Sequence, residues 1–484
     1  MARTPISIER DAGRPLYQQL RDALEHQIAT GALNPRLPLP SSRALARELG
    51  VSRNTVNTAY QELMAVGFID ARPRRGFFVN ADLAVPIEPT PEPGPGSTVD
   101  WSEHIKPRAD IGMPEIAKVR DWARYPYPFV VGQVAADSFP RLAWTRVLRQ
   151  ALDPPHVHFS LRDGVDDDDP MLIEALCKHV LPSRGIEVEP DQVLITLGSQ
   201  QGLDLLAHTL LGPQRVVGVE NPGYLDAWHI FARAGAAMAP MRVDAGGLVP
   251  PADLDDVDVL YLTPSHHSPT NVTLSIGRRK SLLAAAERSR SLIIEDDYDS
   301  EFRYQGSPTP ALKALPGSQR VIYLGTFSKF LAPGLRLGYM VAEPELIAEL
   351  RSQRRYRVRH AAGHTQRAMA LLIENGRYQH TIRRRRTDLQ RKWRTLRDAL
   401  TDALGWSIDP PPGGVSIWLE GPPDLDAVEL ADRCLRAGVV IERGDILFAD
   451  PAANRNHLRL GFAAIDHDSI VPGVERFARC VASM

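Results

Sequence analysis

Four short polar stretches hold most of the side chains in this 484-residue chain that could do chemistry together. They read GluAsnProGlyTyr at 220–224, ThrProSerHisHisSerProThrAsn at 263–271, GluAspAspTyrAsp at 295–299 and GlyThrPheSerLys at 325–329. Between them they supply tyrosines, hydroxyls, adjacent carboxylates and one lysine, Lys329. A lysine held among polar groups can form a Schiff base with an aldehyde. A carboxylate nearby can pair with a protonated pyridine nitrogen and keep such a ring an electron sink. Upstream, LeuGlySerGlnGlnGly at 197–202 opens a helix with small residues, whose free N–H groups suit a phosphate. Arg336, seven residues after Lys329, can add a bidentate phosphate contact.

The elements that must deliver these groups are apolar segments at 216–219, 257–262, 291–294 and 320–324, each running into one polar stretch. Helix-like or loop stretches separate them, which predicts alternating β and α elements and a largely parallel sheet. In such sheets ligands bind at the carboxyl edge of the strands. A phosphate cradle, a Schiff-base lysine and a carboxylate on successive strand ends together specify pyridoxal 5'-phosphate.

A different pattern occupies the first 80 residues. Leu16, Leu20, Leu24 and Ile28 recur at helical spacing and Gly31 closes that helix. Ser41 and Ser42 can cap a second helix with Leu45 and Leu49 inward, Gly50 turns, and Ser52 caps a third helix over 53–66. Residues 68–79 read as two short strands around a basic turn. The third helix opens with Arg53, Asn54 and Thr55, followed by Asn57, side chains able to reach base edges and phosphates. Arg43, Arg74 and Arg75 supply phosphate neutralisation. From residue 36 to 75, seven arginines face Glu48, Glu62 and Asp70, a local excess of positive charge in a chain whose net charge is -2. Any contact with nucleic acid therefore comes from this patch, because the whole chain is not basic.

Between the two patterns, AVPIEPTPEPGPGS at 84–97 is a proline-rich spacer. The expected organisation is a DNA-binding unit at 1–80, a linker at 81–110 and a cofactor-binding unit at 111–484, with a smaller lobe from about 365 onward. Three widely separated cysteines predict no disulfide framework and no zinc site, and suit a reducing cytosol. The polar N-terminus is no secretory signal, and no run of about 18 apolar residues exists to span a bilayer. A cytoplasmic protein with no bound metal and no membrane partner is expected.

The segment PSSRALARELGVSRNTVNTAYQELMAVGFIDARPRRGFFV resembles the winged helix of GntR-type bacterial regulators. Residues 120–484 resemble fold-type-I aminotransferases. The fusion order and the segments TPSHHSPTNVTLS, EDDYDSEFRYQG and YLGTFSKFLAPGLRLGY are similar to the MocR/GabR regulators. That resemblance implies Lys329 as the aldimine lysine, Asp296 on the pyridine nitrogen and Tyr298 on the phenolic oxygen. It implies Tyr224 stacked on the ring, with Ser199, Gln200, Thr326, Ser328 and Arg336 around the phosphate. Arg459, in HisLeuArgLeuGlyPhe, would bind an effector carboxylate. The implied function is a homodimeric regulator of operator double-stranded DNA. It would sense a small amino compound as an external aldimine and control genes for that compound's metabolism. Effectors associated with the family include γ-aminobutyrate, taurine, ectoine-derived diamino acids and vitamin B6. The alternative is a working aminotransferase with an accessory DNA-binding unit.

One departure bears on that alternative. Aminotransferases commonly read AsnProThrGly where this chain has Ser268, Pro269, Thr270 and Asn271. A serine reaches the ring oxygen less far, which weakens the case for transamination and leaves cofactor binding intact. Asp226, two residues past Tyr224, would favour an effector with a second amine. Three further features read as structure: Asp166–Asp169 as a solvated loop, His266 and His267 as loop hydrogen-bonders, and the basic runs at 351–359 and 382–386 as solvated helix faces. A second DNA contact or a contact between subunits is the other reading of the basic runs.

Overall fold

The computed structural model describes residues 13–73, 75–80, 99–105, 112–116, 118–299, 301–306, 309–329, 331–406, 408 and 413–484, with residues 6 and 8. The expected spacer at 84–97 and Arg74 lie outside the described residues. The chain divides into two compact units, Met1–Arg108 and Ala109–Met484.

In the smaller unit the four-residue apolar spacing produces the helix Leu16–Ala29, with Leu20, Leu24 and Ile28 buried. The second helix, Ser42–Leu49, starts where Ser41 Oγ accepts the Ala44 N–H, and stops at Gly50 in the left-handed region at φ 65°. That conformation turns the chain sharply into the third helix, Arg53–Ala65, capped by Ser52. Val56, Ala59, Tyr60 and Leu63 face inward against the first helix. The strands Ile69–Arg72 and Gly76–Val79 pair antiparallel. Ile69 and Val79 complete the core. This is a winged helix-turn-helix.

The larger unit is built on an eight-stranded sheet in the order 193–196, 338–341, 321–326, 292–297, 259–262, 216–221, 237–244, 247–248. The four strands expected from sequence are four neighbours in its centre, mutually parallel, so their carboxyl ends open on one side. They are buried along nearly their whole length, which is why they read as continuous apolar runs. The strand Gly338–Val341 runs against both of its neighbours, so the sheet is mixed. The smaller lobe holds the antiparallel strands Ser416–Glu420, His457–Gly461 and Glu442–Arg443, with the helices Arg377–Leu404, Ala427–Arg436 and Ile470–Ala482. Tyr127–Pro128 pairs with Val439–Val440, so the start of the unit is also tied to this lobe. The whole is the fold of type-I aminotransferases.

Two expectations about charge are corrected. Asp168 and Asp169 are buried. Asp168 receives Arg351 and Arg354, each at 2.7 Å, and so locks the helix Pro344–Arg357 to the sheet. Asp169 caps the helix Pro170–Ala175 and binds Arg367 at 2.7 Å. Of the basic runs, Arg354 and Arg385 are likewise buried, and Arg386 donates to the Glu301 carbonyl. Burying these charges is tolerated only because each arginine meets an acceptor. Those acceptors lie far away in sequence, where a local charge pattern cannot reveal them.

Candidate functional site: a recognition helix and a lysine cleft

On the smaller unit, Arg53 and Asn54 stand exposed at the start of the third helix, and Arg43 is exposed on the second. Arg53 Nε lies 3.4 Å from Ser42 Oγ, which holds its stem across the turn between the two helices. Asn57 is half-buried one turn on, and Arg75 is exposed in the wing. Thr55 is placed differently from expectation: its Oγ1 pairs with Ser52 Oγ at 2.8 Å, so the hydroxyl serves the cap. A helix N-terminus flanked by Arg43, Arg53 and Arg75 is an electropositive edge suited to phosphate and groove.

In the larger unit, a cleft opens at the carboxyl edge of the central strands. Ser199, Tyr224, Ser268, Asp296, Tyr298, Lys329 and Arg459 all line it, together with Asp226. Of the two adjacent aspartates, strand alternation selects one. Asp296 faces the cleft, whereas Asp297 turns away to Arg184 at 2.7 Å and Tyr323 at 2.8 Å. Tyr261 donates to Asp296 Oδ2 at 2.9 Å, a contact hidden in the sequence because Tyr261 sits in an apolar strand.

Burial moves the titrations of two groups in the cleft, Asp296 up and Lys329 down. The Asp296 carboxyl is pushed up to about 7 by desolvation, with the Tyr261 hydrogen bond and the Lys329 charge opposing. The Lys329 ammonium is lowered by burial, then by the nearby Arg459 and Lys118 cations, while Asp299 and Asp296 oppose. A lowered ammonium is a nucleophilic amine at a milder pH. Lys329 Nζ lies 5.6 Å from the Tyr298 ring centre.

Three buried polar atoms around Lys329 have no hydrogen-bond partner among the described residues: Asp296 Oδ1, Tyr298 Oη and Ser328 Oγ. An unpaired buried polar group costs about 1–3 kcal/mol, so this set calls for a polar ligand. A pyridine N–H, a phenolic oxygen and a phosphate oxygen meet those needs one by one. The helix Ser199–Leu210 turns its N-terminus toward Arg336, whose guanidinium lies 3.3 Å from where a Cβ on Gly198 would stand. Gly198 also has φ 92°, so a side chain there is strained as well as crowded. Thr326 accepts the Ser328 N–H at 3.2 Å, and Gln200 is exposed on the first turn of that helix. The residues present fit pyridoxal phosphate.

Sequence reasoning missed several members of the site. Lys118 and Glu442 line the cleft and belong to no motif. Asn271, where a glycine commonly stands, has φ 61° and donates through Nδ2 to the Ser416 carbonyl (2.6 Å) and Oγ (3.1 Å). Ser416 Oγ in turn accepts from Arg459 Nε at 3.1 Å, so the departure at 271 helps to place Arg459. Asp226 accepts the Tyr224 hydroxyl at 3.2 Å. His266 bonds Asp299 at 2.9 Å, and His267 bonds the Pro222 carbonyl at 3.1 Å and Thr270 at 2.7 Å. Burial drives His267 down to about 3, so it is neutral. Both histidines are loop hydrogen-bonders, as expected.

A winged helix-turn-helix and a pyridoxal-phosphate cleft in one chain define a cofactor-binding transcriptional regulator. Comparison with known proteins agrees. Residues 16–79 match "Bacterial regulatory proteins, gntR family" and residues 155–477 match "Aminotransferase class I and II". The chain is 39% identical over 471 residues to the HTH-type transcriptional regulator TauR of Rhodobacter capsulatus, covering 96% of each. It is 33% identical over 397 residues to the probable rhizopine catabolism regulatory protein MocR of Rhizobium meliloti, covering 79% of this chain and 76% of that one. The structure of Pyrococcus horikoshii kynurenine aminotransferase with PMP superposes with a TM-score of 0.71 at 28% identity, over 80% of this chain and 99% of that one. The chain belongs to the MocR/GabR-type regulators, and the cofactor of its larger unit is pyridoxal 5'-phosphate. Among the described residues no helix is long and apolar enough to cross a membrane.

Proposed function

We propose that this regulator binds operator DNA through Arg43, Arg53, Asn54, Asn57 and the wing, and senses a small amino compound at Lys329. Bound in the cleft, the cofactor supplies an aldehyde that condenses reversibly with primary amines. Lys329 holds it covalently, Asp296 faces its ring nitrogen, Tyr298 and Ser268 its phenolic oxygen, and Tyr224 its ring. Ser199, Gln200, Thr326, Ser328 and Arg336 hold the phosphate, and Arg459 meets an acidic group on the effector. Two chains act together, reading paired half-sites, and the regulated genes serve the effector's metabolism.

One observation carries this reading: three buried, unpartnered acceptors or donors surround a lysine whose charge burial disfavours, in the same chain as a capped, arginine-flanked recognition helix. A ligand shifts a conformational equilibrium only through its differential affinity for the two states. An effector held at once by Lys329's loop in the sheet and by Arg459 in the smaller lobe supplies that difference. The completeness of the polar set around Lys329 also supports the alternative, an aminotransferase. The experiment adds an amine and a keto-acid acceptor to the holo-protein and follows spectrum, product and DNA affinity. A spectral change with altered DNA affinity and little product is expected. Turnover near about 1 s⁻¹ or above, with unchanged DNA affinity, overturns the sensor reading.

A further inference from the structure

The strand Val216–Asn221 and its parallel neighbour Val259–Leu262 each run into a turn that reaches the cleft, one with Tyr224 and the other with Ser268. Glu220 joins the two turns. It is 2% exposed, and its Oε2 accepts the Thr263 N–H at 2.9 Å and the Thr263 hydroxyl at 2.7 Å. The second bond commits the hydroxyl hydrogen to Glu220, which leaves the lone pairs of Thr263 Oγ1 as acceptors. One of them takes the Ser268 N–H at 2.9 Å. His267 closes the link from the other side. Being neutral, it donates from Nε2 to the Pro222 carbonyl at 3.1 Å and accepts the Thr270 hydroxyl on Nδ1 at 2.7 Å. Its Nε2 lies 3.7 Å from Glu220 Oε2, and among the described residues no lysine or arginine pairs with this carboxyl. An acid buried without a cation costs stability, so Glu220 is no structural ion pair.

An asparagine at 268 would have two side-chain torsions with which to find the cofactor's ring oxygen. A serine has one, so the place of its hydroxyl follows its backbone closely. The backbone at Ser268 is tied through its N–H to Thr263, and the Thr263 hydroxyl is turned by Glu220. Neither Thr263 nor Glu220 lines the cleft, whereas Ser268 does. We infer that Thr263, oriented by Glu220, is a positioning residue that sets the Ser268 hydroxyl against the cofactor's phenolic oxygen. This inference rests on the proposed place of Ser268 and adds what holds it there. A hydroxyl donating to the phenolic oxygen takes up negative charge, which favours the form of the bound cofactor that has lost its proton. Moving that hydroxyl away therefore raises the pH at which the cofactor's visible band changes. The cleft's charged side chains, Lys118, Asp226, Asp296, Lys329, Glu442 and Arg459, act on the same titration, as do Tyr224 and Tyr298. Asp299 acts on Lys329 from behind, and Arg336 on Tyr224. None of these groups is altered by a change at Thr263 or Ser268. Around Glu220 the titratable groups are Asp296, Tyr261, Tyr298 and the neutral His267.

The test follows the visible absorbance of the holo-protein against pH in Ser268→Ala, Thr263→Val, their double variant and Thr263→Ser. Ser268→Ala is expected to raise the midpoint by about 0.5–1 pH unit, the worth of one hydrogen bond. Thr263→Val keeps the side-chain shape without the hydroxyl and is expected to raise it by a similar amount. The double variant should go no further than either alone, because both act on one contact. Thr263→Ser restores the hydroxyl and should leave the midpoint at the wild-type value. Glu220→Ala and Glu220→Gln remove the same charge, so the difference between them reports the hydrogen bonds to Thr263, and the alanine variant should have the higher midpoint. An unmoved midpoint in Thr263→Val, or shifts that add in the double variant, overturns the inference and leaves the place of Ser268 standing. Should Thr263→Val fail to fold, the Glu220 pair decides, and equal midpoints overturn the inference. A Ser268→Ala variant with an unmoved midpoint overturns both.

Discussion

Replacing Asp296 by asparagine isolates the electrostatic cost of building the cofactor site. The carboxyl is 3% exposed and titrates near 7 in the folded apo-protein against an ordinary 3.8, with burial as the main cause. Its folded value is raised, so its contribution to stability is intact below about 3.8, falls as pH climbs through the interval, and is fully lost above about 7. Each pKa step is worth 1.36 kcal/mol, which makes the cost about 2 kcal/mol at pH 5 and about 4 kcal/mol at pH 8. The asparagine variant carries no such charge. Urea denaturation of cofactor-stripped protein should therefore find the variant gaining about 2–3 kcal/mol on the wild type between pH 5 and pH 8. Adding the cofactor should remove most of that pH dependence in the wild type, because the ring nitrogen provides the missing partner. Apo stability curves that run parallel for the two proteins across this range would refute the reasoning.

Lys329→Ala should keep the fold and lose the borohydride-reducible cofactor adduct, read by absorbance and peptide mass; retention of a reducible adduct contradicts the assignment. Arg53→Ala with Arg43→Ala should weaken DNA binding by about 1–3 kcal/mol per base-reading contact and flatten the dependence on salt, measured by anisotropy at two salt concentrations. Asp168→Ala should destabilise the larger unit by about 3–5 kcal/mol in chemical denaturation, since it strands Arg354 without its partner in the core. Gly198→Val should abolish cofactor binding with little loss of secondary structure, because the added side chain meets the Arg336 guanidinium.

Legibility in the sequence followed how local the signal was. The recognition helix, its Ser52 cap and the Gly50 turn were readable because caps and turns are written in adjacent residues. The four central strands were readable because doubly buried parallel strands are unbroken apolar runs that end in polar ligand-facing turns. Asp296 was readable and its Tyr261 partner was not, since a buried tyrosine in an apolar strand looks like core. The roles of Asp168, Asp169 and Arg354 were invisible, because their partners lie well over a hundred residues apart. Lys118 and Glu442 carry no motif and reach the cleft only through the pairing of distant segments.

The central claim is that chemistry at Lys329 changes how the winged helix holds DNA. It is tested most directly by anisotropy with a duplex that the holo-protein itself selects from a random-sequence pool. That duplex is titrated with and without the amine that most strongly shifts the cofactor spectrum, in the wild type and in Lys329→Ala. The account expects the amine to change the wild-type DNA dissociation constant by about 5- to 150-fold and to leave the Lys329→Ala value unmoved. A saturating spectral response with an unaltered wild-type DNA affinity would contradict it.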